Sequence, residues 1–314
     1  MTQPADTFSS YDAIGNREDL SDQIWNIAPT ATPFMSRIAR TTATATNHEW
    51  QTDTLTAASA TNAVIEGDDA TTDASTPTVR LGNNTQISDK VPRVTGTQRS
   101  NDSAGRGDEM DYQVALRGKE LKRDVESSLL ANNAKVAGND TTARELAGVE
   151  SWITTNTDFG AGGADPTGDG TDARTDGTQR AFLESQLKTV LAAAADAGGD
   201  PDFISVGSFN KQAISAFTGN ATREISATEQ ALNAAVHVYV SDFGNLEVVY
   251  NRFQRDRSAL VLDTNLWAMA VLRDFQSVDL AKTGDTDRKQ MLVEYTLEAR
   301  QEAGNGIIAD LSTS

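Results

Sequence analysis

Hydrophobic and polar positions divide the chain into unlike stretches. In residues 18–27, Leu20, Ile24 and Ile27 recur at spacings of four and three, which predicts a short amphipathic helix. Pro29 stops it. Thr32 before Pro33 reads as an N-cap followed by proline at the first helical position, opening a second short turn through Phe34 and Ile38. Two apolar-faced helices joined by prolines form an arm that must lie on another surface to be stable. Residues 46–55 and 85–97, rich in Thr, Val and Ile, are predicted strands, and the polar stretch 56–84 between them holds a shorter strand at 78–81. The expected arrangement is a long hairpin with an elaborated tip. A hairpin alone is marginal in water and its open edges invite pairing, so this segment is expected to sit against copies of the same chain.

Residues 108–135 carry the clearest helical pattern. Asp108 is placed to cap it, and Met110, Val114, Leu121, Val125 and Leu129 form one stripe. At 1.5 Å per residue the helix would run about 40 Å, with Gly138 ending it. Residues 158–177 are a Gly/Asp/Thr loop almost without apolar side chains, expected to be a flexible surface loop. An amphipathic helix over 179–197 follows, through Phe182, Leu183, Leu187, Val190 and Leu191, closed by Gly198 and Gly199. Then come a strand at 203–206 and a short helix capped by Ser208 with Ala213, Ile214 and Phe217. The last third is mostly strand: 236–240, a turn at Gly244-Asn245 into 246–250, then 259–262, 267–272, 292–300 and 307–311. The fold class is α+β.

Composition changes this reading in three ways. Of 314 residues only 38% are hydrophobic and 6% aromatic, so part of the chain is expected to bury its surface only against a partner. The net charge of −18, with no basic cluster beyond Arg117 to Arg123 alternating with Glu120, argues against wrapping nucleic acid by counterion release. Cysteine is absent, which removes disulfides and thiolate chemistry. Residues 1–10 lack the basic start and apolar stretch of a signal peptide, and no run approaches the roughly 18 apolar residues of a membrane helix, so a soluble, cytoplasmically made protein is expected. Asp outnumbers Glu, Arg outnumbers Lys, and Thr is abundant. At about 1 M salt the Debye length falls to about 3 Å, so like charges can sit side by side. This flavour predicts surroundings of concentrated salt, as in a salt-loving host; the plainer alternative is an acidic surface that keeps a protein soluble.

Candidate chemistry is sparse. His48 lies between Asn47 and Glu49-Trp50 with no second histidine four residues on, so it is not a metalloprotease helix. It is read as a strand residue packed near Trp50. His237 alternates with Val236 and Val238 and is read as structural. No Gly-x-Ser-x-Gly elbow is present. Gly160, Gly162, Gly163 and Gly168 do not open a helix after a strand, and no Lys-Ser or Lys-Thr follows them, so they fail as a phosphate cradle. The best ion candidates are Asp165, Asp169, Asp172 and Asp176, whose hard oxygens on Gly-rich backbone suit calcium. Their spacing is not that of an EF-hand, and a solvated acidic loop is the alternative. No cofactor is expected. Three classes remain: a self-assembling subunit, an acidic surface-layer or calcium-dependent binding module, and a hydrolase using dispersed carboxylates.

Certain local phrases carry a resemblance. They are Tyr11-Asp12 to Asp19-Leu20-Ser21-Asp22, Ile27-Ala28-Pro29-Thr30-Ala31-Thr32-Pro33-Phe34, and His48-Glu49-Trp50-Gln51-Thr52-Asp53. Near the end stand Leu280-Ala281-Lys282-Thr283-Gly284-Asp285 and Glu294-Tyr295-Thr296-Leu297-Glu298. Together with the order arm, hairpin, long helix, α/β part and returning sheet, they resemble the major capsid (major head) proteins of tailed viruses, with the Hong Kong 97-type fold. The resemblance implies an N-terminal arm at 1–46, an extended loop hairpin at 47–103 and a peripheral domain with its spine helix at 104–145. It further implies an axial domain at 146–258 and peripheral return strands at 259–314. It implies a structural subunit, not an enzyme, forming hexameric and pentameric capsomers of an icosahedral virion shell. Packaged double-stranded DNA would face the inner wall without specific binding, no membrane would be involved, and portal, scaffold or decoration proteins are conceivable partners. Expected subunit contacts are Leu20, Ile24, Ile27, Phe34, Trp50, Val79 and Ile87. Some members cross-link subunits through Lys and Asn side chains, and Lys90 lies in the segment where that would occur.

Overall fold

The computed structural model describes residues 31–69, 75–101, 107–217 and 237–314. The predicted helix with Leu20, Ile24 and Ile27 lies outside these residues. The described chain opens with α1 (Pro33–Arg37), where the Thr-Pro pair predicts it, although the Thr32 side chain makes no capping bond. β1 (Ala39–Thr42), β2 (Asn47–Thr52) and β3 (Val79–Asn84) follow, then β4 (Gln86–Lys90), β5 (Arg93–Thr95), α2 (Gly96–Ser100) and α3 (Glu109–Leu129). Next come β6 (Thr157–Asp158), α4 (Glu184–Asp196), β7 (Phe203–Val206), α5 (Ser208–Ser215), β8 (Val238–Ser241) and β9 (Gly244–Tyr250). The chain closes with β10 (Ala259–Leu262), β11 (Trp267–Asp279), β12 (Thr286–Ala299) and β13 (Gly306–Ile308).

These strands form two main sheets. One runs β1-β11-β12-β4, with β5 also on β12, and α3 packs on it. The other runs β6-β13-β10-β7-β9-β8, flanked by α4 and α5. Leu121, Val125 and Leu129 of α3 enter the first core with Trp267, Val293 and Tyr295; Leu187, Val190 and Leu191 of α4 enter the second with Ile204, Val248 and Val261. The strands of residues 259–314 divide between the sheets: β10 and β13 lie inside the six-stranded sheet, and β11 and β12 join the other. β10 is apolar and buried at every position, as a strand covered on both faces must be.

The hairpin also departs from expectation. β2 pairs with β3, from Asn47↔Asn84 to Thr52↔Val79, and not with 85–97. The chain switches sheets at Thr85, whose hydroxyl donates to Glu294 Oε1 at 2.9 Å, and β4 then pairs with β12. Asn83 anchors the switch: its buried side chain donates to the carbonyls of Ala147 and Leu297 and accepts from Ala147 N. Pro92 supplies no N–H, and it separates β4 from β5.

α3 stops at Leu129, short of the predicted 135. Asn132 and Asn133 favour side-chain bonds to neighbouring backbone over helix; their amides donate to Arg174 O and Leu146 O. Conversely, β11 and β12 extend well past the predicted 267–272 and 292–300 as a long hairpin. Its outer half has little buried surface, so no apolar alternation marks it in the sequence.

Candidate functional site

Between β2 and β3 the chain runs out from the body. Within residues 53–69, Leu55 is 100% exposed, Val64 86% and Ile65 77%. Gln301 Nε2 donates to Asp53 O at 3.3 Å where the segment begins; beyond that its hydrogen bonds are local, as with Thr54 N to Asp53 Oδ1, Thr61 N to Ser59 Oγ, and Asp68 N to Ile65 O. Its root, by contrast, is fastened. Trp50 lies 5.3 Å from Trp152, ring centre to ring centre, and His48 Nε2 is 3.3 Å from Glu298 Oε2. Lys135 Nζ donates to Gly82 O at 2.6 Å and to Asp169 O at 2.8 Å. A firm base thus holds out three large apolar side chains that the described residues of their own subunit leave uncovered. Burying such a side chain is worth roughly 1.5–3 kcal/mol. Sequence reasoning missed these three, because isolated apolar residues in a polar stretch have no helix or strand period.

The other expected contacts fall differently. Val79 and Ile87 are 58% and 49% exposed and remain available to a neighbour. Trp50 is half-buried, with one side against Trp152. Phe34 is a correction: it is wholly buried in its own subunit, edge-on to Trp267 at 6.4 Å, because α1 docks on α3. Lys90 Nζ pairs with Asp124 of α3 at 2.7 Å.

Residues 158–177 are not the loose loop their composition predicts. Asp165 pairs with the buried Arg174, and Asp176 takes both Arg255 and Arg257. Asp169 and Asp172 share the Thr167 hydroxyl. The four carboxylates therefore do not converge. Among the described residues no group of three or more His, Asp or Glu gathers as a metal-ligand set. The loop is closed instead by Asp310, near the end of the chain, which accepts from Gly160 N, Gly177 N and Arg257. A Cβ at Gly163 or Gly177 would come within 2.8 Å of the Asp310 carboxylate, so these glycines let the backbone approach it. Asp310 has φ 58°, a left-handed conformation that Asp tolerates. Asp310→Ala is expected to lower the unfolding free energy by about 3 kcal/mol, since three donors lose their acceptor. Asp310→Asn should lose less; chemical denaturation of both variants checks this.

Glu150 and Glu126 are among the other buried carboxyls. Glu150 pairs with Arg255 at 2.6 Å and accepts from Ser258; burial pushes its carboxyl up, against the pull of Arg255. Glu126, on α3, accepts from Phe34 N and Met35 N at 2.8 Å and from Asn251 Nδ2 at 2.7 Å. It supplies the cap that Thr32 does not, and it joins α1, α3 and the end of β9. Burial pushes it up too, the three hydrogen bonds opposing. A cleft of about 390 Å³ beside Ile87, Asn139 and Arg144 has no carboxylate among its described lining residues. A second, of about 370 Å³, holds Asp279 and Asp287, the latter already paired with Arg99 and Lys282. Glu150 and Glu126 line neither of these clefts.

A two-sheet body that projects an uncovered apolar loop is the architecture of a subunit made to associate with others, and the comparisons identify the class. A chain of the Cyanophage A-1(L) capsid asymmetric unit superposes with TM-score 0.66 at 13% identity, covering 98% of this chain and 99% of that one. A chain from the native GTA particle capsid gives 0.63 at 11% identity, covering 96% and 98%. One from Gordonia phage Cozz gives 0.63 at 10% identity, covering 99% and 98%. The fold is the Hong Kong 97-type fold of phage capsid subunits. The chain belongs to the SU10 major capsid protein family, whose profile matches residues 4–312. The major capsid protein of Escherichia phage Phieco32 is 26% identical over 337 aligned positions, covering 96% of both chains. The protein is accordingly a structural component of a phage capsid, where it stands among many copies of itself.

Proposed function

We propose that this chain assembles into hexamers and pentamers of an icosahedral shell around double-stranded DNA, and that it does so without catalysis. The observation that carries the reading is the projecting segment 53–69, with Leu55, Val64 and Ile65 uncovered on a fastened root. In this reading the segment is the extended loop and lies across the next subunit. The β1-β11-β12-β4 sheet with α3 acts as the peripheral domain, and the six-stranded sheet acts as the axial domain. Residues 1–46 act as the arm, with Leu20, Ile24 and Ile27 as contact residues. An acidic subunit suits a container, because an inner wall that bound DNA tightly would obstruct packing and ejection. Portal, scaffold or decoration proteins are its further partners. The charge of −18 and the preference for Asp over Glu support a bacterial or archaeal host that lives in concentrated salt. Electron microscopy of the purified chain in about 2 M and about 0.1 M NaCl tests both points, these salts lying on either side of strong screening. Shells, rings or tubes in either buffer support assembly, and their loss in dilute buffer supports the salt-loving host. Single particles in both, even with co-expressed phage partners, would refute it.

A further inference from the structure

Most cations of this acidic chain are matched with carboxylates: Arg37 with Glu247, Arg99 with Asp108 and Asp287, Arg144 and Arg273 with Glu294. One face is different. Lys119, Lys122 and Arg123 stand at i, i+3 and i+4 on α3, so they share a side, and it is opposite the side that Leu121 turns to the sheet. Arg123 lies over the Phe253 ring at 5.5 Å, and the adjoining Arg252, exposed, lies over Tyr250 at 5.5 Å. None of these four has a carboxylate partner among the described residues, and the buried Nε of Arg123 has no hydrogen-bond partner. The nearby acids are already engaged: Glu120 by Arg117, Asp124 by Lys90, and Glu126 by α1. Arg93, Lys135 and Arg288 also lack a carboxylate, but each holds hydroxyl or carbonyl oxygens. Lys119, Lys122, Arg123 and Arg252 are adjacent cations with no carboxylate among the described residues, in a protein that pairs most of its other described arginines and lysines.

Where the chain enters the fold indicates what covers this face. The first N–H groups of α1 sit on Glu126, one helical turn from Arg123 and Lys122, so residue 31 lies at the end of the cationic face. The residues before it carry Asp6, Asp12, Glu18, Asp19 and Asp22 against a single cation, Arg17. Reach is no obstacle. Lys119 is about 10 Å along α3 from Glu126, and the ten residues from Asp22 to Thr32 extend about 15 Å even if helical.

We propose that the outward face of α3, with Arg252, is the docking surface for the chain's own acidic residues 1–31. Carboxylates of that segment supply the missing counter-charge for Lys119, Lys122, Arg123 and Arg252. The site is independent of the projecting loop, and it is occupied in the single subunit.

Arg17 is the only tryptic site in residues 1–31, which makes docking measurable in the full chain. In about 0.1 M NaCl, the double variant Lys119→Gln/Lys122→Gln is expected to be cut after Arg17 about tenfold faster than the parent, a factor in keeping with several partly exposed ion pairs. In about 1 M NaCl the parent should approach the variant. Matching circular dichroism and melting temperature establish that the variant is folded. Equal cleavage rates in dilute salt would overturn the proposal. So would a variant that loses affinity for duplex DNA while its cleavage is unchanged, since the face would then serve nucleic acid. Because the chain has no cysteine, a second test uses Ser21→Cys with Ala115→Cys, Ala115 being exposed one turn from Lys119. A flexible bismaleimide is expected to link the two within one chain. Links formed only between chains, or no link, would overturn docking on the chain's own α3.

Discussion

Leu55→Asp/Val64→Asp/Ile65→Asp is expected to leave the isolated subunit as stable as the parent and to abolish shell formation. The first half follows from exposure: these side chains are almost wholly solvated and make no tertiary hydrogen bond, so their removal costs the subunit nothing. The second half follows from what a neighbour would cover. Each apolar side chain buried at a contact is worth roughly 1.5–3 kcal/mol, and a carboxylate in its place must be desolvated without a partner. Every copy carries the change, so the loss recurs at each contact of a closed shell. Melting by circular dichroism and electron microscopy of the same preparation read the two halves separately. Normal shells from the variant would remove the loop from the interface. A lowered melting temperature would show that the loop supports its own subunit instead.

Glu126→Ala is expected to lower the unfolding free energy by about 3 kcal/mol, because Phe34 N, Met35 N and Asn251 Nδ2 are left buried without an acceptor. Glu126→Gln keeps the shape and should cost less. The pH dependence has a definite sign. Burial, first among the causes, raises the carboxyl above its ordinary value of 4.5 in the fold. The stability linked to that shift is fully present below the unfolded value and is lost as pH rises through the folded one. The parent should therefore gain on Glu126→Gln as pH is lowered from neutral toward 4.5. A difference that stays flat with pH would show that the carboxyl ionises in the fold as easily as in water. Overall stability need not follow the same trend. Asp108 and Asp287, held low by Arg99 and by Lys282, lose their contribution as pH falls below their ordinary range.

How much was legible in the sequence varies by element. α3, α4, β7 and β10 were readable because each buries a continuous apolar face, and burial leaves a period or a run. The strands at the hairpin root were readable, but their pairing was not. Thr46–Leu55 and 85–97 looked like partners by composition alone, whereas the buried Asn83 and the Thr85–Glu294 bond send β4 to β12. The outer half of β11–β12 escaped notice because it is held by backbone pairing between largely solvated strands. The acidic loop escaped for another reason. Its anchors, Arg255, Arg257 and Asp310, lie some 80 to 150 residues away.

Composition and local pattern were enough to set the class: an acidic, cysteine-free α+β chain with a long helix between strand-rich stretches in a recognisable order, too lean in apolar residues to satisfy itself. Those properties are sums and local periods, and each residue contributes to them without reference to distant ones. The tertiary structure alone decided which strand pairs with which and that Phe34 turns inward while Leu55, Val64 and Ile65 stay uncovered. It also decided that four carboxylates suited to calcium are held by arginines and threonines. These outcomes depend on which groups remain unpaired once the cores have formed, and hydrogen bonds and desolvation act between residues that only the fold brings within reach.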